Sequence, residues 1–177
     1  QHYLTRIDAL NDNYHAVMAI NNNALHDAQR LDNLAREGQW QGPLHGMAVL
    51  VKDNIAVADM ATTAGALALE QNISSADAPV ISQLRSAGAI ILGKANLSEW
   101  ANFRSNSSSS GWSTLGGQTA NAVDATRSPC GSSSGSAVAV KLGFAPLALA
   151  TETDGSIVCP AAANGVYALK PSYGQVS

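Results

Sequence analysis

Two apolar runs separated by an amphipathic segment constrain the fold of this chain more than any other feature. Residues 47–51 (Met-Ala-Val-Leu-Val) and 89–93 (Ala-Ile-Ile-Leu-Gly) have strand length and are almost wholly apolar, which is typical of strands that are buried on both faces. Between them, residues 79–87 repeat apolar side chains at helical spacing and end before Gly88. This alternation of strand, helix and strand predicts an α/β fold with a largely covered sheet.

The remaining segments supply further elements, and the length of 177 residues suits a single domain. Residues 1–38 are expected to form two leading helices around a short strand at 15–20, because apolar side chains recur at helical spacing on both sides of that run. Residues 137–142 predict a short helix. Strands are expected at 146–150 and again after Tyr167.

Residues 102–136 differ from the rest of the chain, because they are rich in Ser, Gly, Asn and Thr and lack aliphatic periodicity. Such a composition is also found in flexible, dispensable linkers. A long loop inside a compact domain is usually functional, however, and Trp100, Phe103 and Trp112 lie in or beside this one. We therefore expect a Ser/Gly-rich loop region that belongs to an active site.

Composition argues against several classes of function. Charged residues make up 13% of the chain, the net charge is −3 and no basic stripe is present, so we expect no nucleic-acid partner. No apolar run reaches the roughly 18 residues that span a bilayer, so we expect no membrane partner. The compartment and the oligomeric state stay open.

The metal-binding residue types are sparse and scattered. The sequence contains no H-E-x-x-H or H-x-x-E-H motif and its histidines do not cluster, so neither a metal nor a cofactor is expected. The four histidines are His2, His15, His26 and His45. Cys130 and Cys159 show no metal-ligand spacing and no disulfide framework, and we expect each to be a buried free thiol.

Two familiar nucleophile patterns fit the sequence poorly. Residues 131–135 match G-x-S-x-G with Ser133 at the centre, but that elbow needs a strand before it and a histidine after it, and every histidine lies upstream. No lysine has a serine three residues before it, which disfavours the S-x-x-K class. Lys52, which directly follows the apolar run 47–51, is a candidate base if burial lowers its pKa.

Three stretches together resemble the amidase signature family of serine hydrolases. They are residues 46–55 (GMAVLVKDNI), 128–137 (SPCGSSSGSA) and 151–160 (TETDGSIVCP), and residues 96–104 (NLSEWANFR) are similar to the bacterial peptide amidases in particular. The resemblance implies a mixed central sheet flanked by helices. It also implies that residues 1–177 are the N-terminal part of one catalytic domain, with the remainder of the same enzyme C-terminal to Ser177 as their partner.

The resemblance implies a catalytic set of Lys52, Ser132 and Ser156, with a cis peptide between Gly131 and Ser132. A serine hydroxyl needs a base within hydrogen-bond reach. Neutral Lys52 would take a proton from Ser132, which would take one from Ser156. We therefore expect these three side chains to form a continuous hydrogen-bonded chain.

The family pattern also suggests residues that surround the reacting carbonyl. The backbone N–H groups of Thr153, Asp154, Gly155 and Ser156 would form the oxyanion hole. Gly155 would leave the substrate carbonyl room to approach. Candidate substrate-binding residues are Asn102, Phe103, Arg104 and Ser133.

Departures from the family pattern bear on the substrate. Many members have two glycines beside the cis-serine where this chain has Cys130 and Gly131, and many have arginine where it has Val158. Without that arginine a neutral substrate end, such as a peptide amide, fits better. We expect an amidohydrolase that deamidates C-terminal peptide amides and releases ammonia. A small-amide amidase, a glutaminase-like amidotransferase subunit and a non-catalytic binding module are the competing hypotheses.

Overall fold

A four-stranded mixed sheet forms the centre of the computed structural model, which describes residues 1–103 and 105–176. Its four strands are β1 (Val17–Ile20), β2 (Ala48–Lys52), β3 (Ile90–Ala95) and β6 (Leu147–Leu149). They lie in the order β1-β3-β2-β6; β1 is antiparallel to β3, and the other neighbours are parallel. A separate hairpin consists of β4 (Trp112–Ser113) and β5 (Gly117–Gln118). The predicted α/β fold with a mixed central sheet is confirmed.

Five α-helices accompany the sheet within residues 1–103 and 105–176. They are α1 (His2–Tyr14), α2 (Ala24–Arg36), α3 (Pro79–Ser86), α4 (Ser134–Lys141) and α5 (Val158–Asn164). Pro79 occupies the first turn of α3, where its missing N–H costs no helical hydrogen bond. Helix α5 was not predicted, because its sequence Val-Cys-Pro-Ala-Ala-Ala-Asn has no amphipathic pattern. None of the helices in the described ranges is long and apolar enough to cross a membrane.

Both faces of the sheet are covered, as the apolar runs predict. All five residues of β2 are buried, and successive side chains enter different clusters. Leu50 packs with Val138 and Phe144 on one face, whereas Val49 and Val51 belong to the cluster on the other face. Burial of each such side chain contributes about 1.5–3 kcal/mol, so the position of Lys52 at the end of β2 is firmly fixed.

The region 102–136 is held against the sheet by buried polar contacts. Asn96, which follows β3, donates from Nδ2 to Thr119 Oγ1 at 3.0 Å and to the carbonyl of His15 at 2.9 Å. Its Oδ1 accepts the hydroxyl of Ser113 at 2.7 Å, and Ser113 and Thr119 are fully buried. This region is therefore packed onto the domain and does not resemble a solvated linker.

The expected strand after Tyr167 is wrong for the described residues. Residues 166–171 form no strand, and Tyr167 and Leu169 are exposed. An apolar run is not sufficient for a strand, which also needs a hydrogen-bonding neighbour, and this segment pairs with none in the described part of the chain.

The expectation of free thiols is also wrong, because Cys130 and Cys159 form a disulfide with a Cα–Cα distance of 5.9 Å. Asn164 of α5 donates to the carbonyl of Pro129 at 3.0 Å, which brings this helix against the loop that carries Cys130. The two cysteines are 29 residues apart, and their spacing alone did not reveal that the two segments meet.

Candidate active site

Lys52 is the last residue of β2 and lies between β3 and β6, with no exposed surface. Its ammonium nitrogen donates to Ser132 Oγ at 2.7 Å and to Ser133 Oγ at 2.9 Å. A third hydrogen bond, of 3.2 Å, reaches the carbonyl of Thr151. The sheet therefore brings the three predicted motifs together around one buried amine.

Burial changes the acidity of this amine. Desolvation lowers the pKa of Lys52 from 10.5 to about 7, and the negative charge of Glu152 partly opposes the shift. Within the described residues no carboxylate lies at ion-pair distance from the Lys52 nitrogen. A substantial fraction of Lys52 is consequently neutral near pH 7, which a general base requires.

Ser132 lies just before α4, and its peptide bond to Gly131 is cis. Ser132 is almost fully buried, and its carbonyl accepts the N–H of Ser98 at 3.0 Å. A side chain at position 131 would collide with Ser98 Oγ, so only glycine fits there. The close approach of these segments fixes where Ser132 meets Lys52.

Ser156 lies in the turn between β6 and α5 and is half-buried. Its carbonyl accepts the N–H of Ser133 at 3.1 Å, which ties this turn to the start of α4. Gly155 has φ 74°, a left-handed conformation that favours glycine, and an added Cβ would meet nothing within 4 Å. The glycine is therefore required for the shape of the turn as well as for the substrate access we predict.

The expected chain of three side chains has one of its two links in this structure. The Lys52–Ser132 link is present, but no hydrogen bond joins Ser132 Oγ to Ser156 Oγ within the described ranges. Catalytic hydrogen bonds are often long without substrate and tighten in the complex. The backbone bond from Ser133 to Ser156 keeps the two serine segments adjacent.

The predicted oxyanion hole lies in the same turn. The N–H groups of Thr153, Asp154 and Ser156 form no hydrogen bond within the described residues, whereas the N–H of Gly155 is directed at the Glu152 carboxylate. The next two N–H groups, of Ile157 and Val158, donate to Glu152 Oε2 at 2.6 and 2.9 Å. The turn therefore presents unpaired donors beside Ser156.

The candidate substrate-binding residues are distributed differently. Ser133 contacts Lys52, whereas Phe103 is 80% exposed and packs edge-on against Trp100 with ring centroids 6.2 Å apart. Arg104 lies outside the described residues. The structure therefore places one of these candidates inside the site and another at the surface.

Asn102 ends a segment with an uncommon backbone. Trp100, Ala101 and Asn102 have φ values of 53°, 54° and 71°, and such left-handed conformations are found mostly where the surroundings enforce them. Asn102 Nδ2 donates to Ser110 Oγ at 3.1 Å, and its buried Oδ1 has no hydrogen-bond partner within the described chain. The amide oxygen is thus available to a donor.

The elbow interpretation of Ser133 loses its structural basis. Ser133 directly precedes α4, and no strand leads into it. Its hydroxyl donates to the Thr151 carbonyl at 3.1 Å and accepts from Lys52, so it is already engaged. No group of three or more potential metal ligands is found in the described ranges.

Two features of the site were missed in the sequence. Thr151 contributes a carbonyl that receives Lys52 and Ser133, and Glu152 binds the chain after Ser156. Both lie inside the motif 151–160, where two acids within four residues were a visible signal. Their roles depend on backbone geometry that residue types do not encode.

Comparison with known proteins assigns the family. The amidase family model matches residues 1–177. This chain belongs to the amidase family. The native peptide amidase of Stenotrophomonas maltophilia is 56% identical with a TM-score of 0.90, over 93% of this chain and 34% of that one. The expected similarity to bacterial peptide amidases is confirmed.

Further amidase relatives extend the comparison. An amidase family protein from Bacillus anthracis is 44% identical with a TM-score of 0.88, over 92% of this chain and 33% of that one. A glutamyl-tRNA(Gln) amidotransferase subunit from Symbiobacterium thermophilum is 49% identical over 85% of this chain and 30% of its own length. The chain spans about a third of the length of these relatives.

Proposed function

We propose that the protein hydrolyses carboxamide C–N bonds through an acyl-enzyme on Ser156. The observation that carries this proposal is the buried Lys52, with a pKa of about 7 and a 2.7 Å hydrogen bond to Ser132. An amine with a substantial neutral fraction near pH 7 and a hydrogen bond to a hydroxyl is arranged for proton abstraction.

The proposed reaction moves one proton along the chain of groups. Neutral Lys52 accepts the proton of Ser132 while Ser132 takes that of Ser156, whose Oγ forms a bond to the substrate carbonyl carbon. The carbonyl oxygen becomes an oxyanion and is stabilised by the free N–H groups of the turn, at roughly 2.7–4 kcal/mol per donor. The C–N bond then breaks, ammonia leaves with the proton that Ser132 donates, and Lys52 returns its own proton to Ser132. Water hydrolyses the ester and restores Ser156.

Ser156 suits the nucleophile better than Ser133 does. Ser133 is 1% exposed and its hydroxyl is bonded to both Lys52 and Thr151. Ser156 is half-buried and neighbours the unpaired N–H groups. A nucleophile must reach a substrate carbonyl and an oxyanion hole at once, and only Ser156 is near such donors.

The favoured substrate is the C-terminal amide of a peptide, with ammonia as the leaving group. Support comes from the 56% identity to a peptide amidase and from Val158, which adds no cation to the site. Asn102 and Phe103 remain candidates for contacts with the peptide. The rest of the same enzyme is proposed to complete the pocket.

A second candidate is the glutamine-hydrolysing part of an amidotransferase. The 49% identity to a glutamyl-tRNA(Gln) amidotransferase subunit supports it. This activity would need partner subunits that receive the ammonia. Co-purification with such subunits, together with glutamine hydrolysis, would support it.

The test is to quantify ammonia from the full-length protein with amidated peptides, simple amides and free glutamine. We expect the peptide amides to give the highest kcat/KM and Ser156→Ala to abolish release. Preference for glutamine would support the second candidate. Absence of release from every amide would contradict the proposal and favour a binding module.

A further inference from the structure

Glu152 has an environment that the proton chain does not explain. Its side chain is only 5% exposed, although it is a carboxylate directly before the Ser156 turn. Oε2 accepts the N–H groups of Ile157 and Val158 at 2.6 and 2.9 Å. Oε1 lies 3.4 Å from the ammonium nitrogen of Lys170. A carboxylate with little exposed surface is favourable only when donors surround it, as they do here.

These bonds close a ring around the proposed nucleophile. The Glu152 carboxylate joins the chain before residues 153–156 to the chain directly after them. The Thr151 carbonyl beside it is held by Lys52 and Ser133. One end of the turn is therefore fixed to the base, and the other end is fixed to Glu152.

We propose that Glu152 is a positioning residue, whose carboxylate holds the Ser156 turn closed so that the hydroxyl and the free N–H groups keep their places beside Ser132. This inference rests on the proposed function for its kinetic consequences. Glu152 does not touch the reacting atoms. Its role is to fix backbone geometry, and misplacement of reacting groups by about 1 Å can cost on the order of 100-fold in rate.

The charge of Glu152 adds a second consequence. The N–H of Val158 is the largest of several hydrogen bonds that lower the pKa of Glu152, so this carboxylate is ionised at neutral pH. Its negative charge favours protonated Lys52 and raises the pKa of that lysine. Removing the charge therefore favours neutral Lys52 and moves the acidic limb of the pH profile to lower pH. Other charged side chains on the surrounding elements are Asp53, Lys94, Asp154 and Lys170.

These other groups do not reproduce the effect of Glu152. Asp53 and Lys94 neutralise each other in a 2.9 Å ion pair, and Asp154 is exposed. Lys170 bonds Glu152 itself and donates to the carbonyl of Thr153 at 3.1 Å. A shift of the acidic limb on substitution of Glu152 would therefore report the loss of its charge. A residue that acts only in folding would not shift that limb.

The experiment compares Glu152→Ala and Glu152→Gln in the full-length protein, with the exposed Glu70→Gln as the control. Kinetics on an amidated peptide are measured across pH, and hydrogen exchange is followed at residues 153–158. Glu152→Ala is expected to lower kcat by roughly 10–100-fold with a small change in KM and to accelerate exchange. Glu152→Gln keeps an acceptor oxygen, so it should retain more activity than Glu152→Ala. The midpoint of its acidic limb should move to lower pH by roughly 0.5–1 pH unit, because the negative charge is gone.

The outcomes separate this inference from the proposed function. The inference is overturned if both Glu152 variants keep the kcat, the midpoint of the acidic limb and the hydrogen-exchange rates of the wild type. The amidase activity would still stand in that case. If the wild type hydrolyses no amide, the proposed function fails, and faster exchange in Glu152→Ala but not Glu70→Gln still supports the positioning role. If Glu152→Ala does not fold, Glu152→Gln decides: an unshifted acidic limb and unchanged exchange overturn the inference.

Discussion

Two lysines at the ends of neighbouring strands are both buried, yet their surroundings differ. Lys94 of β3 forms a 2.9 Å ion pair with Asp53 and donates to the carbonyls of Ile55 and Ala61 at 3.0 and 2.9 Å. Among the described residues, Lys52 of β2 meets only hydroxyls and a carbonyl. One amine has a counter-ion, and the other has none within the described part of the chain.

The difference shows how one fold uses the same side chain in two ways. Burial lowers the pKa of both lysines, but at Lys94 the adjacent carboxylate of Asp53 opposes that effect. A hydrogen-bonded counter-ion favours the charged form of a buried amine, and removing either partner leaves the other as an uncompensated buried charge. An amine with only neutral partners gives up its proton more easily and can act as a base.

Replacing the unpaired lysine should have the largest effect on activity. Lys52→Met removes the proposed base and is expected to lower kcat/KM by about 10³-fold, within the range for general bases. No ion pair is broken, so the thermal unfolding midpoint should change little. The measurement is peptide-amide hydrolysis together with a thermal melt. Near-normal activity in this variant would end the functional assignment of Lys52.

Replacing the paired lysine should act on stability. Lys94→Met leaves Asp53 charged and unpaired in the core and is expected to cost about 3–5 kcal/mol of the free energy of unfolding. Denaturant titration measures this loss. The double change Asp53→Leu with Lys94→Met should restore much of it. The comparison fails if Lys94→Met keeps full stability and instead loses activity as Lys52→Met does.

The disulfide distinguishes the surroundings of the two lysines, because it links segments beside Lys52 and none beside Lys94. It joins the segment before Ser132 to the helix after Ser156, and removing it through Cys130→Ser with Cys159→Ser is expected to cost about 2–4 kcal/mol. Hydrogen exchange should rise at 153–158, while the loop 55–63 around Lys94 should be unaffected. Equal changes in both regions would contradict a local role.

Ser133→Ala should give the smallest effect. It removes one of the hydroxyls that Lys52 contacts and leaves Ser132 in place, so we expect a loss of about 1 kcal/mol in transition-state stabilisation, or roughly tenfold or less in kcat/KM. Steady-state kinetics measure it. A larger loss than that of Ser156→Ala would revive Ser133 as the nucleophile.

The sequence predicted the parts of this account that depend on local patterns. The buried strands at 47–51 and 89–93 were identified from continuous apolar runs, and Lys52 was identified from its place after the first of them. The partners of these residues depend on long-range contacts. The ion pair of Lys94 and the disulfide of Cys130 join residues 41 and 29 positions apart, and no local periodicity specifies such contacts.

Helix α5 and the role of Glu152 were missed for a related reason. An alanine-rich segment has no apolar stripe, and a glutamate in a turn is usually solvated. The Glu152 side chain is shielded from solvent here because the turn folds back and presents two consecutive N–H groups to its carboxylate. That geometry exists only after the chain on both sides of Ser156 is in place.

The role of Lys52 as the base is tested by the pH dependence of kcat/KM, because the amine must be neutral to accept a proton. Lys52 has a pKa of about 7, so activity should rise through an acidic limb with its midpoint near that value and then level off. Asp53→Leu with Lys94→Met, which replaces the ion pair but keeps Lys52, should leave that midpoint in place. A rate that stays constant from about pH 5 to about pH 9 would contradict Lys52 as the base.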